Sequence, residues 1–500
     1  MIANTFANAI AAFENGNPAA AAELCRHILE QVPGHADALH VLGVAEHQLG
    51  RSAAAIAALT GAVAADPGNA ACRTNLGAVL QASERYAEAI ECFRHALALT
   101  PGNVEALLNL ATSLQTDGRL QESIETFEEL VRIAPAFPPG LLGLASALTS
   151  AGRLDDALQF QVSASRHAPE YADAHAAQGI TLRAMGRFAE AAEAHRRAIR
   201  LAPDSAAYHA NLGLAQKDAG ELAASEAAYR TAIARQPGFA DAYFQLAIVL
   251  LMRGDSRGVL QLREAYEREH PRDRTFLAFA AIAHDAMGDG AEAARILDYD
   301  GLIAQRRIAP PAGWETLDRF NATLAEHLLS HPGLTARHGV NTTQSGRQTG
   351  DILSRPTGPL EPLVGRLAEE VARYLDERPV DPAHPFLSRR PERWSISGWA
   401  VVLERGGFQN PHFHGDAWIS GVYYVSLPPS VASPEGAHDG WIEFGRPPAS
   451  VAPDFRHPTR MVQPAEGSLL LFPSYLYHRT IPFDDEATRI CIAFDAIENP

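Results

Sequence analysis

Residues near the C-terminus stand at spacings that suit metal chemistry. The segment QNPHFHGDAW carries His412, His414 and Asp416, and in an extended strand residues two apart point to one face. His414 and Asp416 can therefore aim at one point, and His412 with them. A later segment, FPSYLYHRTIPF, supplies His478, 62 residues beyond Asp416, so it must come from another strand. Two imidazoles and a carboxylate on one side of a divalent ion leave the opposite positions open for O2 and an organic cosubstrate. Fe(II) uses such sites, although Mn or Zn accept the same donors. Arg489 lies eleven residues past His478, on the last apolar segment. A buried guanidinium there is a fork for a carboxylate, so a dicarboxylate could chelate the metal at one end and meet Arg489 at the other. Tyr424 points inward if alternation runs unbroken from Asp416 through Ser420 and Val422, which would let it hydrogen-bond the same carboxylate.

Each residue also has a plainer reading. His412 alone is a polar strand-end residue, Tyr423 and Tyr424 are packing residues, and Trp418 is core. His438 and Asp439 sit in a Gly/Pro loop and read as solvated; Glu443 could face either way. For Arg489 the plain alternative is a structural ion pair.

The elements that position these residues change character along the chain. RWSISGWAVVLE, AWISGVYYVSLP, GWIEFG, SLLLFPS and TRICIAFDA are short, rich in β-branched or aromatic residues, and separated by Gly/Pro/Asp clusters, which is the strand signature. Several such strands within about 110 residues predict a small barrel or jelly roll. Two amphipathic helices are expected before them, over residues 315–331 and 360–377, with the polar segment TTQSGRQTGDIL (residues 342–353) read as a loop between them. Residues 299–312, with Arg306-Arg307 and Pro310-Pro311, read as a junction.

Upstream a 34-residue ruler governs the sequence. Prolines recur from Pro33 to Pro271, glycines from Gly16 to Gly288 with Glu84 in the one vacant slot, and Leu-Gly or Leu-Ala pairs from Leu42-Gly43 to Leu246-Ala247, with Gln178-Gly179 as a variant. Glycine suits the left-handed C-terminal cap of a first helix, a small residue lets a neighbouring helix approach, and proline ends the second helix. The pattern resembles the tetratricopeptide repeat, over about residues 4–298: eight units and a capping ninth around Gly288. Such an array stacks into a superhelical solenoid whose groove binds an extended peptide or protein; a mere spacer is the competing reading. The scattered histidines, among them His40, His47, His175, His195 and His209, are expected to be packing or surface residues.

The C-terminal residues carry a second resemblance. HxD, a distant His and a following Arg are similar to the 2-oxoglutarate- and Fe(II)-dependent oxygenases. More closely, GGFQNPHFHGDAWISGVYYVSLP, GSLLLFPSYLYHRTIPF, RICIAFD and the upstream NTTQSGRQTGDIL resemble a bacterial and phage group of that family, across about residues 313–500. The resemblance implies a double-stranded β-helix (jelly roll) with flanking helices, with His414, Asp416 and His478 holding Fe(II), and Arg489 and Tyr424 meeting 2-oxoglutarate. It implies an O2-dependent hydroxylation coupled to decarboxylation of 2-oxoglutarate to succinate and CO2. In that group the two histidines of HxH are typical and the position of Asp416 is not always a carboxylate. The alternative ligands are then His412 and His478, with His414 behind them; the carboxylate present here favours His414 and Asp416.

The expected organisation is residues 1–298 as repeats, 299–312 as junction and 313–500 as the oxygenase-like jelly roll: an all-α solenoid followed by a β domain. The chain of 500 residues exceeds one core, and its 47% hydrophobic and 20% charged residues describe a globular protein. A net charge of -17 argues against nucleic acid or an anionic membrane as partner. The four cysteines form no CxxC pair, and neither a signal peptide nor a membrane span is evident, so a reduced cytoplasmic setting is expected. The expected function is a hydroxylase acting on a protein or peptide recruited by the repeats. The competing functions are a non-catalytic scaffold whose jelly roll only binds metal, and a cupin-type metalloenzyme that needs no cosubstrate and hence no Arg489. A glycosyltransferase is excluded because about 190 residues of mostly β pattern cannot form two large α/β halves.

Overall fold

A computed structural model describes residues 2–336, 343–432 and 438–499. Eight full helix pairs come first, from Ile2–Glu14 with Pro18–Gln31 to Ala240–Met252 with Ser256–Glu269; a shorter ninth pair is Leu277–Ala286 with Gly290–Leu297. The repeat chemistry explains them. Asn69, Asn103 and Ser205 accept from backbone N–H groups three residues on, capping the first helices of their units. The recurrent glycines adopt φ between +73° and +83°, and Glu84 in the vacant slot is held at φ +59°. A Cβ on Gly77 would come within 2.6 Å of the Phe93 ring, and one on Gly179 within 2.4 Å of His195, so the small residue is what admits the second helix. Within each compact part of the chain one pair packs on the next, in the manner of tetratricopeptide repeats.

By compactness the chain divides into residues 1–221 and 222–500. The second unit begins inside the repeats and contains the whole β region. Its described residues form the strands β1 (Ala304–Arg307), β2 (Thr343–Gln348), β3 (Trp394–His412), β4 (Ile419–Ser426), β5 (Ile442–Phe444), β6 (Arg460–Val462), β7 (Ser468–Pro473), β8 (His478–Thr480) and β9 (Arg489–Glu498). The order is β1-β7-β4-β9-β3-β8-β5-β6, with β2 also on β3, and every pairing is antiparallel. The sheet curls into a jelly roll. The 19-residue β3 makes the curl possible: residues 394–403 pair with β9, whereas Gln409 and His412 pair with β8. Between them Gly406 takes φ +74°, a turn of the strand that glycine allows.

The helices Leu317–Leu329 and Leu360–Asp376 flank the roll; Asn321 of the first accepts a 2.5 Å hydrogen bond from Tyr423. Two segments differ from the sequence reading. Residues 304–307, within the expected junction, form β1 on β7. Residues 343–348, read as loop, form β2; its pairing to β3 is through backbone groups, so its polar side chains gave no strand pattern. Asn341 and Thr342 lie outside the described residues. No helix among the described residues is long and apolar enough to cross a membrane.

Candidate metal centre

Strand β3 delivers His412 at its last residue, directly opposite His478 at the start of β8. The chain then leaves the ladder, and His414 follows on the connection to β4, its backbone N–H held by the Ser474 carbonyl at 2.9 Å. His412, His414 and His478 each place a ring nitrogen within 4.8 Å of the other two. The ring centroids are 4.3 Å apart for His412 and His478, and 5.3 Å for each ring to His414.

The hydrogen bonds behind the rings decide what faces inward. Nδ1 of His412 meets the Asn410 carbonyl at 2.8 Å, Nδ1 of His478 the Leu476 carbonyl at 3.0 Å, and Nδ1 of His414 both carboxylate oxygens of Asp495 at 2.7 and 2.8 Å. Those oxygens can only accept, so each Nδ1 carries the proton. In the neutral imidazole each Nε2 is then a bare lone pair, the form that binds a metal. Burial, reinforced by the neighbouring His414, pushes His412 down to about 4, and burial beside His412 and His414 drives His478 well below its ordinary value. Both are therefore neutral near pH 7, and the donor set fits a divalent transition metal.

Asp416 is not brought to this cluster. The strand expected to continue through it ends at His412, and Asp416 lies exposed on a turn beyond Gly415. The carboxylate at the site is Asp495, which sequence reading missed. It touches His414 and accepts from the Ser420 hydroxyl at 2.6 Å. A signal for it existed: counting by twos from Arg489 along β9 passes through Cys491 and Ala493, which line the cavity beside the histidines, and reaches Asp495.

Arg489 and Tyr424 are both fully buried. The guanidinium carbon lies 5.2 Å from the Tyr424 ring centroid. One amino group of Arg489 reaches the Cys491 sulfur at 3.5 Å, while Nε of Arg489 and the Tyr424 hydroxyl have no hydrogen-bond partner among the described residues. Among the described residues no carboxylate pairs with Arg489. A buried cation and a buried hydroxyl left in this state are costly unless an anion completes them. Burial also raises the Tyr424 phenol to about 12, so it is a donor at neutral pH. The cavity lined by the histidines, Trp399, Gln409 and Arg489 is narrow, about 20 Å³. Trp418 is buried; His438 is exposed; Glu443 is buried and held by Arg446, Thr459 and Arg479.

Two kinds of family match the chain. Residues 397–495 match the family described as "Putative 2OG-Fe(II) oxygenase". Families described as tetratricopeptide or TPR repeats match residues 6–70 and 74–138, 114–180, 179–220 and 228–261. No curated protein matches the chain. Similar solved structures include MamA, at 22% identity over 33% of this chain and 96% of its own, with a TM-score of 0.32. A tetratricopeptide repeat protein from Parabacteroides merdae matches at 14% identity over 50% of this chain and 98% of its own, TM-score 0.43. YrrB, titled a TPR protein with an unusual peptide-binding site, matches at 22% identity over 37% of this chain and 94% of its own, TM-score 0.32.

Proposed function

We propose that this chain, a tetratricopeptide-repeat protein with a C-terminal domain of the 2OG-Fe(II) oxygenase type, is a 2-oxoglutarate-dependent hydroxylase acting on a protein or peptide that the repeats recruit. The observation that carries the reading is the pairing of three convergent Nε2 lone pairs with a buried arginine that has no carboxylate of its own. His412, His414 and His478 would hold Fe(II), Arg489 would pair with the distal carboxylate of 2-oxoglutarate, and Tyr424 would donate a hydrogen bond to it. This ligand set replaces Asp416 by His412. Iron, when bound, supplies the activation of O2 that couples decarboxylation of 2-oxoglutarate to hydroxylation of substrate.

The residues of the chain do the rest. Asp495 acts from behind His414: it fixes the tautomer and ring plane and makes the imidazole a better donor. The three imidazoles bring no charge of their own to the metal, which favours an anionic cosubstrate. The narrow cavity keeps water scarce around Arg489, where a charge-assisted pair gains most. Admitting a five-carbon diacid then requires the lining side chains to move aside. A cosubstrate-free cupin or a metal-only scaffold would give Arg489 no such task. The four thiols are unpaired, in keeping with a cytoplasmic reaction.

The test is anaerobic titration of the chain with Fe(II) and then 2-oxoglutarate, following the visible charge-transfer band of the chelate. The band should appear in the unsubstituted chain. In Arg489→Ala iron should still bind while 2-oxoglutarate affinity falls about 100-fold or more, the scale of a lost buried charge pair. Iron binding without a band, or equal loss of metal and cosubstrate in Arg489→Ala, would overturn the reading.

A further inference from the structure

We infer that the last repeat helices are part of the metal site: Phe244 and Phe279 pin Phe413, and that ring, with Tyr477, sets the spacing of the three histidines. The inference rests on the metal reading above and extends it to residues outside the roll.

The need for such a device follows from where the backbone ladder stops. Pairing between β3 and β8 ends at His412 opposite His478. His414 lies beyond it, so strand hydrogen bonds do not fix its distance from the other two rings. Metal affinity, however, requires ligands held to within about 0.5 Å. Phe413 stands between His412 and His414, and Tyr477 immediately precedes His478. The Phe413 and Tyr477 rings meet edge to face, with centroids 4.9 Å apart at 90°. One contact thus ties the two-histidine segment to the third histidine.

The other side of Phe413 is held by the repeats. Its ring lies 5.7 Å from Phe279 at 88° and 6.5 Å from Phe244 at 87°, the perpendicular arrangement that aromatic quadrupoles favour. Phe244 is on the helix Ala240–Met252 and Phe279 on Leu277–Ala286; they are 5.9 Å apart, and Phe276 packs against both. Phe279 is completely buried, so displacing it would require the surrounding close-packed core to shift. Close by, the hydroxyl of buried Thr275 donates to the Gly415 carbonyl at 2.7 Å. That bond anchors the turn directly after His414 to the same helices. Phe413 is therefore a positioning residue, and Phe244, Phe279 and Thr275 are its supports.

The test uses the full chain and Co(II) alone, whose visible ligand-field bands report both affinity and coordination geometry. Phe279→Ala and Phe413→Ala should each weaken Co(II) binding about tenfold or more, the usual cost of losing support behind a ligand, and alter the band shape. Phe413→Leu keeps an apolar plug and should recover most of the affinity. Leu262→Ala, which hollows the buried side of helix Ser256–Glu269 in the same compact unit, should lower Tm comparably while leaving the Co(II) spectrum unchanged. Unaltered Co(II) binding in both phenylalanine variants would overturn the inference. So would an equal loss in Leu262→Ala, which would reduce the effect to general destabilisation. Failure of the unsubstituted chain to bind Co(II) would instead remove the metal reading, and this inference with it.

Discussion

A carboxylate two residues past a histidine shares its face only while the strand lasts. His414 and Asp416 share a face on paper, but β3 ends at His412, and the turn at Gly415 sends Asp416 into solvent. The same period of two, carried along β9, which does remain extended, leads from Arg489 to Asp495. The histidines were thus legible in the sequence as candidates, and so was the inward-facing Arg489 at the start of β9, whereas the carboxylate was sought at the wrong place. The place where alternation fails depends on tertiary contacts of residues 413–417, which no local pattern encodes. The consequence can be tested by metal titration. His412→Ala and His478→Ala should each abolish tight Fe(II) binding, Asp495→Asn should weaken it about 10- to 100-fold, and Asp416→Ala should leave it unchanged. If Asp416→Ala strips the metal and His412→Ala does not, the ligand set proposed here is wrong.

At the scale of the element, the repeats were legible almost residue by residue, because one chemical solution recurs every 34 residues and departures stand out against it. Two departures carry consequences. Glu84 occupies the cap slot filled elsewhere by glycine and is held at φ +59°, where a side chain costs about 1–2 kcal/mol. Glu84→Gly should therefore raise the thermal unfolding midpoint, by the equivalent of about 0.5–1 kcal/mol after the greater chain entropy of glycine is counted; a lowered midpoint would contradict the strain. His195 stands where the repeats of Gly77 and Phe93 carry an aromatic ring on the helix-contact glycine. It is buried, its Nδ1 has no partner, and burial pushes it down to about 4 from 6.5. The folded state thus refuses a proton that the unfolded chain takes up. Stability is unaffected above pH 6.5 and falls as pH drops from 6.5 towards 4, by at most about 3 kcal/mol. His195→Phe should unfold at a midpoint that declines less over that interval. Parallel declines in the two proteins would show that His195 is not the group responsible. The short strands β1, β2, β6 and β8 were harder to read, since three or four residues, or a polar edge, carry too little periodicity to declare themselves.

At the scale of the whole molecule, the repeat period and the roll overlap in the compact unit 222–500. The sequence changes its period near residue 298, yet Leu277, Ile282, Ile296 and Leu297 belong to the same buried cluster as Tyr475, Leu476 and Phe494 of the β region. Tyr475 donates to the Ile296 carbonyl at 2.5 Å, Tyr374 to the Leu302 carbonyl at 2.6 Å, and the Arg456 N–H to Asp285 at 2.9 Å. β1 covers one edge of β7, whose six residues, SLLLFP, are all buried. A fragment of residues 313–500 would lose these partners together. Tyr475 and Tyr374 would each keep a phenol without its acceptor, the apolar side chains that faced Leu277, Ile282 and Ile296 would meet water at about 1.5–3 kcal/mol each, and β7 would become an uncharged apolar edge of the kind that recruits further strands. Residues 222–500 keep every one of these contacts. Size-exclusion chromatography and near-ultraviolet circular dichroism of the two fragments should therefore differ: 222–500 as a single folded species, 313–500 as aggregate or without fixed aromatic packing. A monodisperse 313–500 with a cooperative melt would mean that the roll closes on its own, and that the aromatic wall supplied by the repeats is not needed for its fold.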